Sequence, residues 1–283
     1  PQLPARTLHS PISFDHVIVQ VVVDGQSYYV DPTRNGQNVP IQTLARAFPG
    51  AATLPVDANA KELLTLPSHT DAWPLYEHVE NIAITDFDGD ATLETREIYR
   101  GSYAEWARQR FPSLTIAEFK KAMLGLYEKQ YPGVTLLAPP SYQDHPAENR
   151  FELLIRYNLP KPVTHTEKRY AFEYDSQIIY NTLGIPDNIV RNFPLQLPVN
   201  NYRGRYRLKL TWPKSVRENF APKAKTLDNP YFKAHEEYTI RGNHVDYLMD
   251  YQVKVKEVNA KEVPILQKEA KRLVEFTTGK FHM

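Results

Sequence analysis

Alternating apolar and polar positions dominate the chain and predict a structure built mainly from β-strands. Residues 14–31 contain two runs rich in β-branched and aromatic residues on either side of Asp24-Gly25, a dipeptide that favours a two-residue hairpin turn. Residues 32–60 carry Pro, Gly, Asn and Ala without sustained periodicity, so they are predicted to be mostly loop. Residues 62–66 are compatible with a short strand.

The alternation continues beyond Trp73-Pro74, where a domain boundary is expected because proline pushes the preceding residue to extended geometry. The first two strands that follow are joined through Asp88-Gly89, a second turn signal. The predicted strands of this part of the chain are 79–86, 91–100, 151–159, 168–180, 203–212, 235–241 and 244–257.

A helix pair and a closing helix interrupt the strand pattern. Ser102 with Glu105, and Thr115 with Glu118, form two capping-box patterns that predict helix starts. A terminal helix is predicted over 263–276. The apolar face predicted for the second helix comprises Ile116, Phe119, Met123, Leu126 and Tyr127, and that of the terminal helix Leu266, Ala270, Leu273 and Val274. The whole pattern is typical of a mixed α+β chain.

Composition narrows the classes of function. Lys plus Arg is 34 and Asp plus Glu is 33, so the net charge of +1 provides no global attraction for nucleic acid, and no nucleic-acid partner is expected. No apolar run approaches the roughly 18 residues that a membrane-spanning helix needs. The chain contains no cysteine, which excludes an internal disulfide, a zinc–thiolate site and a cysteine nucleophile within these 283 residues.

The predicted hairpin places an imidazole beside a carboxylate. A two-residue turn makes Val23 oppose Gln26, and continuing that register makes Ile18 oppose Asp31. His16 shares the face of Ile18 because side chains alternate with period two, so His16 and Asp31 are diagonal neighbours. Diagonal neighbours lie roughly 7–8 Å apart at Cα, which a histidine and an aspartate side chain can bridge.

A histidine oriented by a carboxylate is the base half of a nucleophilic triad. The carboxylate fixes the tautomer, and the second ring nitrogen remains able to take a proton from a nucleophile. His16 and Asp31 are therefore the candidate catalytic residues. Taken alone, such a pair is also the ordinary pattern of a surface hydrogen bond.

The sequence around this pair resembles the second half of a bacterial transglutaminase-like, papain-related core flanked by β-rich domains of unknown function. The resemblance is most specific in residues 14–19, Phe-Asp-His-Val-Ile-Val, and in residues 28–33, Tyr-Tyr-Val-Asp-Pro-Thr. It extends more loosely over 76–283, through residues 191–195 and the strand that ends at Trp212-Pro213, followed by a hairpin and a final helix.

The resemblance assigns His16 as the catalytic base and Asp31 as the orienting acid. The family nucleophile is a cysteine at a helix N-terminus well upstream of the histidine, and no residue of this chain corresponds to it. We therefore expect the chain to be a C-terminal part whose missing N-terminal part carries the Cys-bearing helix, and to be inactive alone. The competing hypothesis is a family member that has lost catalysis and kept the scaffold.

These inferences define two domains and two hypotheses of function. Residues 1–75 are predicted to form the C-terminal half of a transglutaminase-like core, and residues 76–283 a β-rich accessory domain. The first hypothesis is a transglutaminase-like cysteine hydrolase or acyltransferase that acts on peptide or amide bonds of a peptide or protein substrate. The second is a non-catalytic β-rich module that binds protein, peptide or envelope glycan. The resemblance alone implies a periplasmic or extracellular location.

Other patterns are better explained by ordinary structure. The acidic residues between Asp86 and Asp90 imitate calcium-loop spacing, but their glycine is misplaced and a hairpin turn is favoured. The nine histidines show no metal-ligand spacing, so neither a metal nor a cofactor is expected. His78 and Glu80 are predicted to form a surface pair. A solvated strand face is favoured over a polyanion-binding stripe for Arg203, Arg205, Arg207 and Lys209.

Overall fold

The computed structural model confirms a mixed, β-rich α+β fold. The structure describes residues 14, 16–45, 48–67, 74–166, 169–176, 185, 192–197, 202–215 and 223–282. Trp73 at the predicted boundary, Arg191 of the resemblance and residues 177–180 of one predicted strand lie outside these ranges.

Strands account for most of the described elements. In chain order they are β1 (Val19–Val23), β2 (Gln26–Val30), β3 (Ala52–Thr53), β4 (Leu64–Thr65), β5 (Tyr76–Ile84), β6 (Ala91–Arg100), β7 (Thr135–Leu136), β8 (Ser141–His145), β9 (Arg150–Leu159), β10 (Val163–Thr166), β11 (Arg169–Asp175), β12 (Leu195–Gln196), β13 (Arg203–Thr211), β14 (Lys223–Asp228), β15 (Phe232–Arg241), β16 (His244–Val253), β17 (Glu257–Val258) and β18 (Thr278–His282). The α-helices are α1 (Ser102–Arg110), α2 (Ile116–Tyr127) and α3 (Val263–Thr277). Short 3₁₀ turns lie at Pro146–Glu148 and Ala260–Glu262.

A nine-stranded sheet forms the centre of the molecule. Its order is β14-β15-β16-β13-β5-β6-β9-β7, and β8 also pairs with β9. Neighbouring strands are antiparallel except β5 and β13, which run parallel although roughly 120 residues separate them. A parallel pair needs a long crossover rather than a tight turn, so no local signal announces it.

One face of this sheet carries the hydrophobic core. The three helices and a three-stranded sheet, β10-β11-β18, cover that face. Leu153, Leu208 and Leu273 have no exposed surface. The core cluster begins at Tyr76, and it contains none of the residues that the structure describes between 14 and 67.

The helices confirm one predicted cap and contradict another. Thr115 and Glu118 make the full capping box, with the Thr115 side chain accepting from the backbone N–H of Glu118. The predicted box at Ser102 is wrong, because α1 starts after Gly101 without a side-chain cap. Glu105 is buried and accepts hydrogen bonds from another segment instead.

The apolar face predicted for α2 is wrong in two positions. Ile116 is 72 % exposed and Leu126 is 47 % exposed, whereas the other three predicted members are buried. Ile116 lies in the first helical turn and Leu126 on the flank of the helix, so neither reaches the sheet. The predicted stripe of α3 agrees better, because Leu266, Ala270 and Leu273 are buried.

The region from residue 14 to residue 67 consists of two small hairpins and the segments between them. β1 pairs with β2, and β3 pairs with β4, each as a separate two-stranded sheet. Residues 32–45 contain no strand or helix, as the sequence pattern predicts. Two-stranded hairpins are marginally stable by themselves. Their position therefore depends on contacts with the larger region.

Candidate functional site

The β1–β2 hairpin brings His16 and Asp31 together as predicted. Its register pairs Val23 with Gln26 and Val19 with Val30, around the Asp-Gly turn. His16 and Asp31 lie just beyond the paired residues at the open end. The distance from His16 Nε2 to Asp31 Oδ2 is 2.9 Å. The predicted geometry of the pair is therefore confirmed, while its catalytic role remains a prediction.

Asp31 is buried and accepts hydrogen bonds from both His16 and Thr33. Its side chain is 4 % exposed, and its Oδ1 accepts from the Thr33 backbone N–H at 3.0 Å and from the Thr33 hydroxyl at 2.7 Å. Burial raises the pKa of Asp31, but the hydrogen bonds from Thr33 and His16 outweigh it and hold the pKa below the ordinary value. The carboxyl is consequently ionised at neutral pH.

An ionised carboxylate can only accept hydrogen bonds, so the tautomer of His16 follows. Nε2 of His16 must carry the proton that it donates to Asp31, and Nδ1 of the neutral ring then carries the free lone pair. The imidazole packs against the ring of Phe48, with centroids 5.0 Å apart, and its side chain is 33 % exposed. An approaching acidic group could reach Nδ1 from solvent. This arrangement is chemically a base held by an acid.

The acid of this pair is connected to the large sheet. The segment 34–45, which begins three residues after Asp31, contacts the buried carboxylate of Glu105 on α1 through Arg34, Gln37 and Ala45. Sequence reasoning missed Glu105 because its spacing from Ser102 imitates a helix cap. The spacing of Ser102 and Glu105 does not indicate that Glu105 contacts residues 34–45.

A second cluster of titratable groups is buried between the large sheet and α2. His78 Nε2 lies 3.1 Å from Glu80 Oε1, and His78 is 1 % exposed. The Tyr127 and Tyr206 hydroxyls each donate to Glu80 at 2.6 Å. Glu97 accepts from Tyr76 and Tyr99 alongside. The predicted surface pair of His78 and Glu80 is wrong, because helix α2 covers this face of β5.

Mutual interaction favours the charged forms of the buried pair. Burial lowers the pKa of His78, but its hydrogen bond and its charge interaction with Glu80 outweigh this and raise the pKa above the ordinary value. Burial raises the pKa of Glu80, but His78 and the two tyrosine hydroxyls outweigh it and lower the pKa. Both shifts favour the imidazolium of His78 and the carboxylate of Glu80, and the hydrogen bond from Tyr127 to Glu80 joins α2 to the sheet.

The remaining charged patterns have structural explanations. Arg205 donates to Asp250 at 2.6 Å, and Arg207 donates to Glu77 at 2.9 Å, so part of the arginine row is paired within the sheet face. The segment between Asp86 and Asp90 is the turn that joins β5 and β6. Among the described residues, no group of three or more His, Asp or Glu side chains is arranged to hold a metal ion. Within the same ranges, no helix is both long enough and apolar enough to cross a bilayer.

Comparison with known proteins does not narrow the possible functions of this chain. No protein-family model matches this chain, and no curated protein sequence matches it. The geometry of His16 and Asp31 and the contacts around them therefore carry the functional argument.

Proposed function

We propose that this chain supplies the general base and its orienting acid to a transglutaminase-like cysteine hydrolase or acyltransferase that acts on peptide or amide bonds. The observation that supports it is the 2.9 Å contact between His16 Nε2 and the buried, ionised Asp31. The resemblance of residues 14–33 to transglutaminase-like cores is the reason for interpreting this contact as part of a catalytic site. Because the chain contains no cysteine, the proposal requires that another segment or another polypeptide provide the thiol.

The proposed chemistry assigns one proton route. Nδ1 of His16 accepts the thiol proton, and the thiolate attacks the amide carbon. The imidazolium returns the proton to the leaving amine as the carbon–nitrogen bond breaks, which leaves a thioester. Water or a second amine then attacks the thioester and releases the thiol, giving hydrolysis or transfer. Asp31 stays ionised throughout and stabilises the imidazolium.

The test joins this chain to any coding segment that is found upstream of it. If that segment carries a cysteine, the extended protein should cleave or transfer amides in a reaction that iodoacetamide abolishes. His16→Ala should lower kcat by about 10²–10⁴-fold, the usual contribution of a general base. His165→Ala is the matched control, because His165 lies on β10, outside the site, and should leave kcat unchanged.

The same experiment can contradict the proposal. Amide turnover by the 283-residue chain alone would mean that a Ser or Thr hydroxyl is the nucleophile. An extended protein with a cysteine, whose activity survived His16→Ala, would remove His16 from the mechanism. An upstream segment without a cysteine would support the second hypothesis.

A separate observation favours the second hypothesis, a non-catalytic binding module. The face of the large sheet opposite the core holds an open cleft of about 500 Å³ between β13, β16 and β15. Arg203 and Lys233 lie at the same level on the two sides of Gln252 and line this cleft. Two cations across a shallow cleft favour an anionic ligand.

A polyglutamate peptide probes this alternative. The double variant Arg203→Ser/Lys233→Ser should weaken its binding in calorimetry, whereas Lys120→Ser on the exposed side of α2 should not. Undetectable binding by the unmodified chain at low salt would remove the alternative, because low salt favours such contacts.

A further inference from the structure

The buried side chain of Glu105 on α1 contacts three residues of the segment 34–45, namely Arg34, Gln37 and Ala45. Its residue is 1 % exposed. Oε1 accepts from the backbone N–H of Ala45 at 2.9 Å and from Asn149 Nδ2 at 3.0 Å. Oε2 accepts from Gln37 Nε2 at 3.1 Å and lies 3.1 Å from Arg34 Nη2. A buried carboxylate with four donors is fully satisfied, and bonds to a charged acceptor are stronger than neutral ones.

This anchor lies close in sequence to the acid of the site. Arg34 is three residues after Asp31, and its backbone N–H donates to the carbonyl of Asp31 at 3.1 Å. Thr33, which lies between them, donates twice to the Asp31 carboxylate. Fixing Arg34 on Glu105 therefore fixes the end of the turn that shapes the surroundings of Asp31.

Gly36 provides independent support for a built contact. Its φ of +79° lies in the left-handed region, and a Cβ added there would overlap the backbone oxygen of Glu105. The carbonyl of Gly36 accepts from Arg108 Nη1 at 2.8 Å, and Arg108 is itself paired with Asp144. The segment thus passes α1 at a distance that only glycine allows.

The hairpin has little of its own to hold this geometry. Among the described residues, β1 and β2 pair with no third strand, and Val22 on the face of Ile18 is 63 % exposed. Asp31 needs a fixed backbone to keep its oxygens on His16 and Thr33. That support must come from the segment that follows it.

We propose that Glu105 is a positioning residue for the His16–Asp31 pair: by fixing residues 34–45 on α1, it holds the carboxylate of Asp31 where His16 donates to it. The inference rests on the proposed function, since positioning matters for catalysis only if the pair moves a proton. The β-rich region would then hold the residues of the candidate site in position, in addition to lying beside them.

NMR of the full chain tests this without any turnover. The side-chain ¹³C signal of Asp31, assigned by its loss in Asp31→Asn, is followed against pH in the unmodified chain, Glu105→Gln, Gly36→Ala and Arg34→Gln. Thr33 and His16 are the groups that act on the Asp31 carboxyl, so losing their alignment should move its titration towards the ordinary range. Amide exchange in 34–45 should accelerate by about tenfold or more, because each variant removes or strains buried contacts.

The matched control is Glu269→Gln. Glu269 is a partly buried glutamate on α3 that also holds a loop, through Asn229, and its loss should leave the Asp31 titration unchanged. Arg34→Gln alters a partner whose side chain is 30 % exposed, and it serves if Glu105→Gln fails to fold. The proposal is overturned if exchange in 34–45 accelerates while the Asp31 titration stays at its original midpoint in every folded variant. That result would leave the proposed catalytic role untouched, because catalysis is tested separately by turnover.

Discussion

The regions 14–67 and 74–282 use their apolar side chains in opposite ways. Among the residues that the structure describes in the first region, the buried apolar ones are Ala45, Ala51 and Leu66, and the core cluster contains none of them. The same region supplies eight of the fifteen large apolar side chains that are exposed among the described residues, including Val17 and Val56. The second region buries whole rows of leucine and tyrosine. One region is therefore stabilised by its own core, and the other by attachment.

The candidate site lies in the first of these two regions. His16 and Asp31 belong to the region that buries fewer apolar side chains, and contacts with the Glu105 carboxylate tie this region to α1. Two of the exposed apolar side chains, Val17 and Val19, lie within three residues of His16. The following predictions test the two halves of this comparison, in order of expected size.

Breaking the buried ion pair should have the largest effect. Glu80→Gln leaves His78 without its carboxylate in the core, and removing one partner of a buried pair costs about 3–5 kcal/mol. Glu94→Gln is the control, because Glu94 is an exposed carboxylate opposite Arg156 and its loss should cost less than about 1 kcal/mol. Urea unfolding followed by tryptophan fluorescence measures both. Equal costs would show that the second region does not depend on this pair.

The same pair predicts a pH dependence. The raised pKa of His78 gives stability that is complete below its ordinary value of 6.5 and is lost as pH rises through the folded value. The lowered pKa of Glu80 gives stability that is complete above 4.5 and is lost as pH falls through the folded value. The difference in unfolding free energy between the unmodified chain and Glu80→Gln should therefore be largest between pH 4.5 and 6.5. A difference that is constant over pH 3–9 would contradict the assigned charge states.

Matched leucine truncations compare the two regions directly. Leu208 on β13 has no exposed surface, so Leu208→Ala should cost about 2–5 kcal/mol through lost burial and a cavity. Leu64 on β4 is 40 % exposed, and Leu64→Ala should cost under about 1 kcal/mol. Similar losses of unfolding free energy would mean that the first region has a core that the exposures do not reveal.

Hydrogen exchange should separate the hairpin from the sheet. Amides of β1 and β2 should exchange at least about a hundredfold faster than those of β5 and β6, a difference of roughly 3 kcal/mol in opening free energy. Alternatively, self-association through the hairpin protects these amides, and the protection then depends on concentration. Joining the chain to a Cys-bearing upstream segment, where one is found, should raise the protection of the hairpin amides without dimerisation. Strong protection in a monomeric chain would contradict the proposed incomplete domain.

Thr33→Val should have the smallest effect. It removes the hydroxyl that donates to Asp31 and keeps the backbone donor, so the pKa of Asp31 should rise towards its ordinary value. The lowered pKa contributes stability that is present above the ordinary value of 3.8 and is lost as pH falls through the folded value. The variant should therefore lose about 0.5–1.5 kcal/mol near pH 7 and less at low pH. A loss that does not depend on pH would mean that the hydroxyl only fills space.

Local patterns predicted the parts of the fold whose partners are close in sequence. The β1–β2 register, the turn between β5 and β6 and the cap at Thr115 all follow from a few neighbouring residues, and each is confirmed. The contact of His16 with Asp31 belongs to this class because the Asp-Gly turn sets the register that joins them. The resemblance to transglutaminase-like cores, and with it the proposed reaction, stays a prediction.

Only the tertiary structure decided which faces meet. Periodicity shows that His78 and Glu80 share a strand face, but burial of that face depends on α2, which lies about 40 residues later in the chain. The parallel pairing of β5 with β13 and the contact of Glu105 with residues 34–45 likewise join distant segments. A side chain's spacing determines the direction in which it points, whereas its charge state and its role depend on the partner that long-range packing places there.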